Sequence, residues 1–138
     1  MTHISAERRV RLAGCVFAAL FLICCTSPNS ARGVIDRFIA AHYMAIDLKA
    51  SAALCTGLAL DKIHDEMKLT QGTHIDESTR KPIVHYKLTA KRESAEHVEY
   101  MFRAKIDVPD GGTFERNWMI TARKEGDTWK VSNFNEYD

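Results

Sequence analysis

Proline is scarce in this chain, three of 138 residues, and glycine numbers only seven. Collagen-like, linker-like and low-complexity readings are thereby excluded. Charge of one sign is also lacking: the formal net charge is +1. A strong non-specific nucleic-acid binder shows a basic excess, so no nucleic-acid partner is expected. Cysteine is nearly missing from the body of the chain. Cys15, Cys24 and Cys25 fall in one apolar run, and only Cys55 lies beyond it. A single cysteine closes no intramolecular disulfide, so the domain has to rely on its core. No CxxC pair and no Cys/His ligand spacing occurs, and neither metal nor cofactor is expected. No internal repeat is visible, and the length fits one domain.

The only long apolar run sits near the start. Residues 1–11 hold Arg8, Arg9 and Arg11 against one acid, Glu7, and residues 12–25 hold no charge. A basic stretch followed by 14 apolar residues fits a secretory signal better than a full span, which needs about 20. Leu12-Ala13-Gly14-Cys15 looks like a lipobox, but ten more apolar residues follow it. Cys25, preceded by Leu22-Ile23-Cys24, is the better-placed lipidation candidate. An uncleaved anchor would leave the N-terminus cytoplasmic and export the rest. The expected organisation is a signal peptide or membrane anchor with a polar linker over 1–30, then one domain over 31–138. The expected location is the periplasmic side of a bacterial cell envelope, with membrane contact through 12–25.

Beyond Ser30 the apolar spacing turns helical. Ile35, Phe38, Ile39, His42, Ala45 and Ile46 form one stripe on a helix of about four turns. Asp47 is placed to cap a second, short helix, and Thr56-Gly57 breaks it. Leu60, Ile63, His64 and Met67 predict a third stripe, with Gly72 as its stop. After the polar loop ending at Pro82 the pattern alternates. Val84, Tyr86, Leu88 and Ala90 share one face, with His85, Lys87, Thr89 and Lys91 opposite. Val98, Tyr100, Phe102, Ala104, Ile106 and Val108 share another, then Phe114, Trp118, Ile120 and Ala122, with Arg116 as an exception. Trp129 and Val131 open a last strand in which Phe134 falls out of step, which predicts a bulge near Ser132-Asn133. Short turns join four strands into an antiparallel meander, apolar on one face and covered there by the helices.

Phe38-Ile39-Ala40-Ala41-His42-Tyr43 leading to Asp47, with Trp118-Met119-Ile120 through Gly126-Asp127-Thr128-Trp129-Lys130-Val131, carry a resemblance over about 31–137. The chain resembles the nuclear transport factor 2-like (SnoaL-like, cystatin-like) superfamily, and in particular its small exported or lipoprotein members. The resemblance implies an α+β roll: helices on a curved four-stranded antiparallel sheet, with a cone-shaped pocket between. It says little about activity, because the fold hosts enzymes, adaptors and secretion components alike.

Cone-lining candidates are His42, Tyr43, Asp47, Tyr86, Tyr100, Arg116 and Trp118. Enzymatic members place an inward carboxylate or His–Asp pair there, since proton abstraction needs a base within reach. The inward positions of the first three strands carry neither Asp nor Glu. No catalytic residue is therefore assigned, and an enzyme is disfavoured. Arg116 has three readings: an anion ligand, a partner for a core acid such as Asp47, or a solvated side chain at a bulge. Asp47 reads most simply as a cap, and Cys55 as buried and inert. The outer sheet face alternates Glu99, Arg103, Lys105 and Glu115 around Met101 and Met119, which leaves room for a homodimer through the sheet. The leading expectation is a non-enzymatic envelope domain that binds a small apolar ligand or an envelope protein. The alternatives are a ketosteroid-isomerase-like or dehydratase-like enzyme using His42, Tyr43 or Asp47, and a structural subunit of an envelope or secretion complex.

Overall fold

The computed structural model describes residues 27–76 and 78–138. The apolar run 12–25 and Cys25 lie outside the described residues. No described helix is long and apolar enough to cross a membrane.

Helix α1, Ala31–Ile39, starts where Ser30 Oγ accepts from the Gly33 N–H at 3.0 Å. Its buried face is Ala31, Val34, Ile35, Phe38 and Ile39. The expected four-turn helix does not continue as an α-helix. Ala40–Met44 forms a π turn, with Ala45 N–H reaching the Ala40 carbonyl at 2.9 Å and Asp47 N–H reaching the Ala41 carbonyl at 2.8 Å. The wider turn inserts an extra residue and reduces the rotation per residue. Through this turn both His42 and Tyr43 pack against rings of the core. Ile46 leaves the turn with φ 54°, a left-handed conformation that is strained for a β-branched side chain. Asp47 Oδ1 then accepts from Ala50 N–H at 2.9 Å and caps α2, Leu48–Leu54.

Helix α3 spans Gly57–Leu69. Its buried residues are Ala59 and Ile63, with Leu60 and Met67 partly buried against the core. His64 is exposed, so the expected stripe is turned by about one position. Lys62 reaches the last strand, donating to Asn133 Oδ1 at 3.0 Å, the Phe134 carbonyl at 2.6 Å and Asn135 Oδ1 at 2.8 Å. That covers one free edge of the sheet with a cation.

The sheet is an open antiparallel meander in the order β1-β2-β3-β4: Ile83–Glu93, His97–Val108, Gly112–Glu125 and Thr128–Tyr137. Two register shifts bend it. In β1, Leu88 pairs with Phe102 but Ala90 pairs with Met101, so Thr89 is the extra residue. The shift puts Lys91 on the concave face, opposite Tyr100, and Ala90 on the outer face, the reverse of simple alternation. In β4, Ala122 pairs with Val131 and Thr121 with Asn133, so Ser132 is the extra residue, as the displaced Phe134 predicts. The core is the concave face against α1 and α3: Phe102, Trp118, Ile120, Ala122 and Val131 against Ile35, Phe38, Ile39 and Ile63, all essentially without exposure. Phe114, expected inside, is 43% exposed because the helices do not reach that end of the sheet.

Candidate functional site: an aromatic cone with unanswered polar atoms

The π turn delivers two rings to the cone. Tyr43 stacks on Trp118 with centroids 4.0 Å apart and planes 14° apart. His42 stacks on Phe38 at 5.1 Å, meets Tyr43 edge-on at 4.5 Å and lies 5.1 Å from Phe134. Tyr86 adds an edge-to-face contact with Phe102 at 5.6 Å. Offset and edge-on pairs of this kind stabilise by about 0.5–1.5 kcal/mol each beyond area burial. The cone is therefore occupied by the protein's own rings.

Polar atoms in that packing are incompletely matched. His42 Nε2 lies 2.7 Å from Glu66 Oε2, a link from the π turn to α3. The His42 side chain is 9% exposed and that of Glu66 37%. His42 Nδ1, Tyr43 Oη and Trp118 Nε1 are buried without a hydrogen-bond partner. When Nε2–H is donated to the Glu66 carboxylate, Nδ1 is left as an acceptor. An unmatched buried donor or acceptor costs about 1–3 kcal/mol. Three of them on touching rings is a concentrated expense for a small domain. Burial pushes the Tyr43 hydroxyl far above its usual range; Glu136 adds to the shift by its charge and as a nearby acceptor, though not in well-formed hydrogen-bond geometry, and the charge of Glu66 adds last. Glu136 pairs in register with Trp118, so it stands on the concave face, at the exposed rim.

The remaining sequence candidates occupy different places. Tyr86 Oη donates to Asp36 Oδ1 at 3.1 Å, and Asp36 is itself held by Arg32 Nε at 2.9 and 3.0 Å. Burial first, then Asp36, raises the Tyr86 hydroxyl. Tyr100 is buried beside Phe102, with Lys91 Nζ 5.8 Å from its ring centroid. Arg116 is opposite Ala104 on the concave side, yet it is partly exposed, donates to the Glu115 carbonyl at 2.9 Å and pairs with Asp138 at 3.1 Å. Its acid is thus the C-terminal Asp138 and not Asp47. Asp47 lies apart from the rings. Besides capping α2 it lines an open cavity of about 500 Å³ with Ile46, Met67, His74 and Lys81, none of them a ring of the cone. Cys55 is buried, and desolvation pushes its thiol up to about 12 against the smaller opposing effect of Lys130. Among the described residues no three His, Cys, Asp or Glu side chains gather in a way that could hold a metal ion.

Sequence reading missed two acids of this site, Glu66 and Glu136. Glu66 was legible as the residue three beyond Ile63 and four beyond Lys62, on the same helix face. Glu136 follows Phe134 by two, so it shares a face with it once the bulge has been passed. The absence of inward acids holds on the second and third strands; it fails on the fourth and on the first, where the Thr89 bulge brings Glu93 opposite buried Val98 at the exposed end of the concave face.

No protein-family model matches the chain, and no curated protein matches it. Solved structures do. A protein from Thiobacillus denitrificans, assigned as a calcium/calmodulin-dependent protein kinase type II association domain, superposes with TM-score 0.58 at 14% identity, over 76% of this chain and 91% of its own. A protein of ketosteroid isomerase-like fold from Catenulispora acidiphila, crystallised with trimethylamine, gives TM-score 0.46 at 14% identity, over 76% of this chain and 84% of its own. At such identities the likeness speaks for architecture alone. Over the described residues, three helices packed on a curved, unclosed four-stranded antiparallel sheet give the α+β fold seen in nuclear transport factor 2-like proteins.

Proposed function

We propose that this chain is an exported, envelope-associated domain that binds a protein partner and does not turn over a small substrate. The observation that carries this reading is the packing of the cone: Trp118 and Phe102 are fully buried, and Tyr43 lies flat on Trp118 where a ligand would stack. Export is supported by the basic 1–11 and apolar 12–25 of the sequence. A partner surface is supported by Val108 and Phe114, exposed on the concave face at the end of the sheet that the helices leave bare. Native mass spectrometry of residues 27–138, which contain the whole described core, tests it. The expected result is the bare mass of a monomer or dimer. Extra mass that leaves on denaturation would overturn the reading and identify the ligand class.

A second reading has its own observation, the His42–Glu66 pair beside Tyr43 Oη and Trp118 Nε1. In it a small hydrogen-bonding molecule displaces Tyr43 from Trp118, and His42 with Glu66 moves a proton. A small, polar released mass in the same experiment selects that reading.

A further inference from the structure

The described chain enters the fold at a fixed point. The Ser27 carbonyl accepts from Ser30 N–H at 3.0 Å and Ser30 Oγ at 2.6 Å. Arg37 donates to the Pro28 carbonyl at 3.0 Å. Gly33 backs directly on this entry: a Cβ there would lie 2.2 Å from the Ser27 carbonyl oxygen and 2.8 Å from Pro28 Cα. Entry segment and α1 therefore touch backbone to backbone, and the contact leaves no slack. Asn29 and Arg37 share a shallow cleft of about 140 Å³ with Asp127, Thr128 and Trp129. The entry thus sits beside the β3–β4 turn. The β1–β2 turn is at the same pole, since His97 pairs with Arg123. The β2–β3 tip, Val108–Gly112, is at the opposite pole, about 35–40 Å away along the 12 residues of β2.

The sequence sets the apolar run 12–25 directly before this fixed entry. One residue, Thr26, separates Cys25 from Ser27. Extended chain spans at most about 3.6 Å per residue. A residue 25 held in a bilayer leaves the domain no tether on which to turn. We infer that the pole of Asn29, Arg37, Asp127, Thr128 and Trp129 is a bilayer-facing surface seated among phospholipid headgroups. The inference rests on the proposed membrane role of 12–25, as a retained anchor or through a lipid on Cys25. The chemistry of the pole suits that depth. Arg37 and Lys124 stand among Glu125 and Asp127, a mixed-charge rim around one half-buried indole, Trp129. Tryptophan favours the headgroup level of a bilayer. In this orientation Val108 and Phe114 point away from the membrane, toward partners in the exported compartment.

The two tryptophans make the test spectroscopic. Trp118 is fully buried, and the W129F chain reports on it alone. The full chain is reconstituted in phosphatidylcholine vesicles with and without a headgroup nitroxide lipid. The expected result is that the nitroxide removes the Trp129 component of wild-type emission and leaves W129F emission unchanged. A twelve-residue Gly-Ser insertion between Thr26 and Ser27 spans about 20 Å and relieves the quenching. Unquenched Trp129 in a chain that stays with the vesicles through an alkaline carbonate wash would overturn the orientation. Quenching that survives the insertion would overturn the tether as its cause. A chain washed off the vesicles would remove the anchor itself, and the inference with it.

Discussion

Tyr43 carries a buried hydroxyl that makes no well-formed hydrogen bond, with the Glu136 carboxylate as its one nearby acceptor, and the two functional readings give that atom opposite values. In a closed cone it is a cost. Tyr43→Phe keeps the ring on Trp118 and removes the unmatched atom, so urea unfolding is expected to show a stabilisation of about 1 kcal/mol. If the cone holds a polar ligand, the same change lowers stability in the ligand's presence. Alkaline pH gives a second expectation. Tyr43 and Cys55 both have hydroxyl or thiol groups raised above their ordinary values. Each stays protonated in the fold while ionising in the unfolded chain, so its stabilisation is complete below the ordinary value and is lost as pH rises. For Cys55 the window runs from 9.0 to about 12. Stability is expected to fall there by about 1.4 kcal/mol per pH unit for each such group. Cys55→Ala flattens its share, and urea titrations at stepped pH read it. At this scale the sequence was legible where one residue has one job, as with Asp47 at its cap. It was silent where partners come from distant segments, as with His42 and Glu66, 24 residues apart.

Among the elements, the π turn decides what the cone contains. Apolar spacing showed Ile35, Phe38 and Ile39 on one face, because a helix stripe is periodic. The π turn interrupts that period over Ala40–Met44 and leaves no residue type as a marker. The bulge at Ser132 was legible because Phe134 changed phase. The bulge at Thr89 was hidden, because Ala90 is small enough to suit either face. Two substitutions test the elements near the turn and the entry. Asp47→Ala removes the side-chain acceptor for Ala50 N–H and is expected to cost about 1 kcal/mol. Gly33→Ala sets a Cβ against the Ser27 carbonyl and is expected to cost more than the cap, with proteolysis near Ser27 accelerated. Thermal melts rank the two variants.

As a whole molecule the fold separates a sealed body from a bare tip. Binary patterning made that body legible, since four alternating strands after three helical stripes admit few arrangements. It could not show that the helices stop short of Phe114. Phe114→Ser, at a half-buried ring paired with Ile106, is expected to cost about 1–2 kcal/mol. Trp118→Ala, in the middle of the cone, is expected to cost about 3–5 kcal/mol. The central claim is that the cone is closed and dry, and the Trp118 indole N–H reports on it directly. That proton is buried without a hydrogen-bond partner, so only exclusion of water protects it. Its hydrogen exchange, read by NMR with W129F to assign the signal, is predicted to be as slow as global unfolding. Exchange as fast as that of the half-exposed Trp129 indole would contradict the closed cone and return the site to a solvated, ligand-accepting pocket.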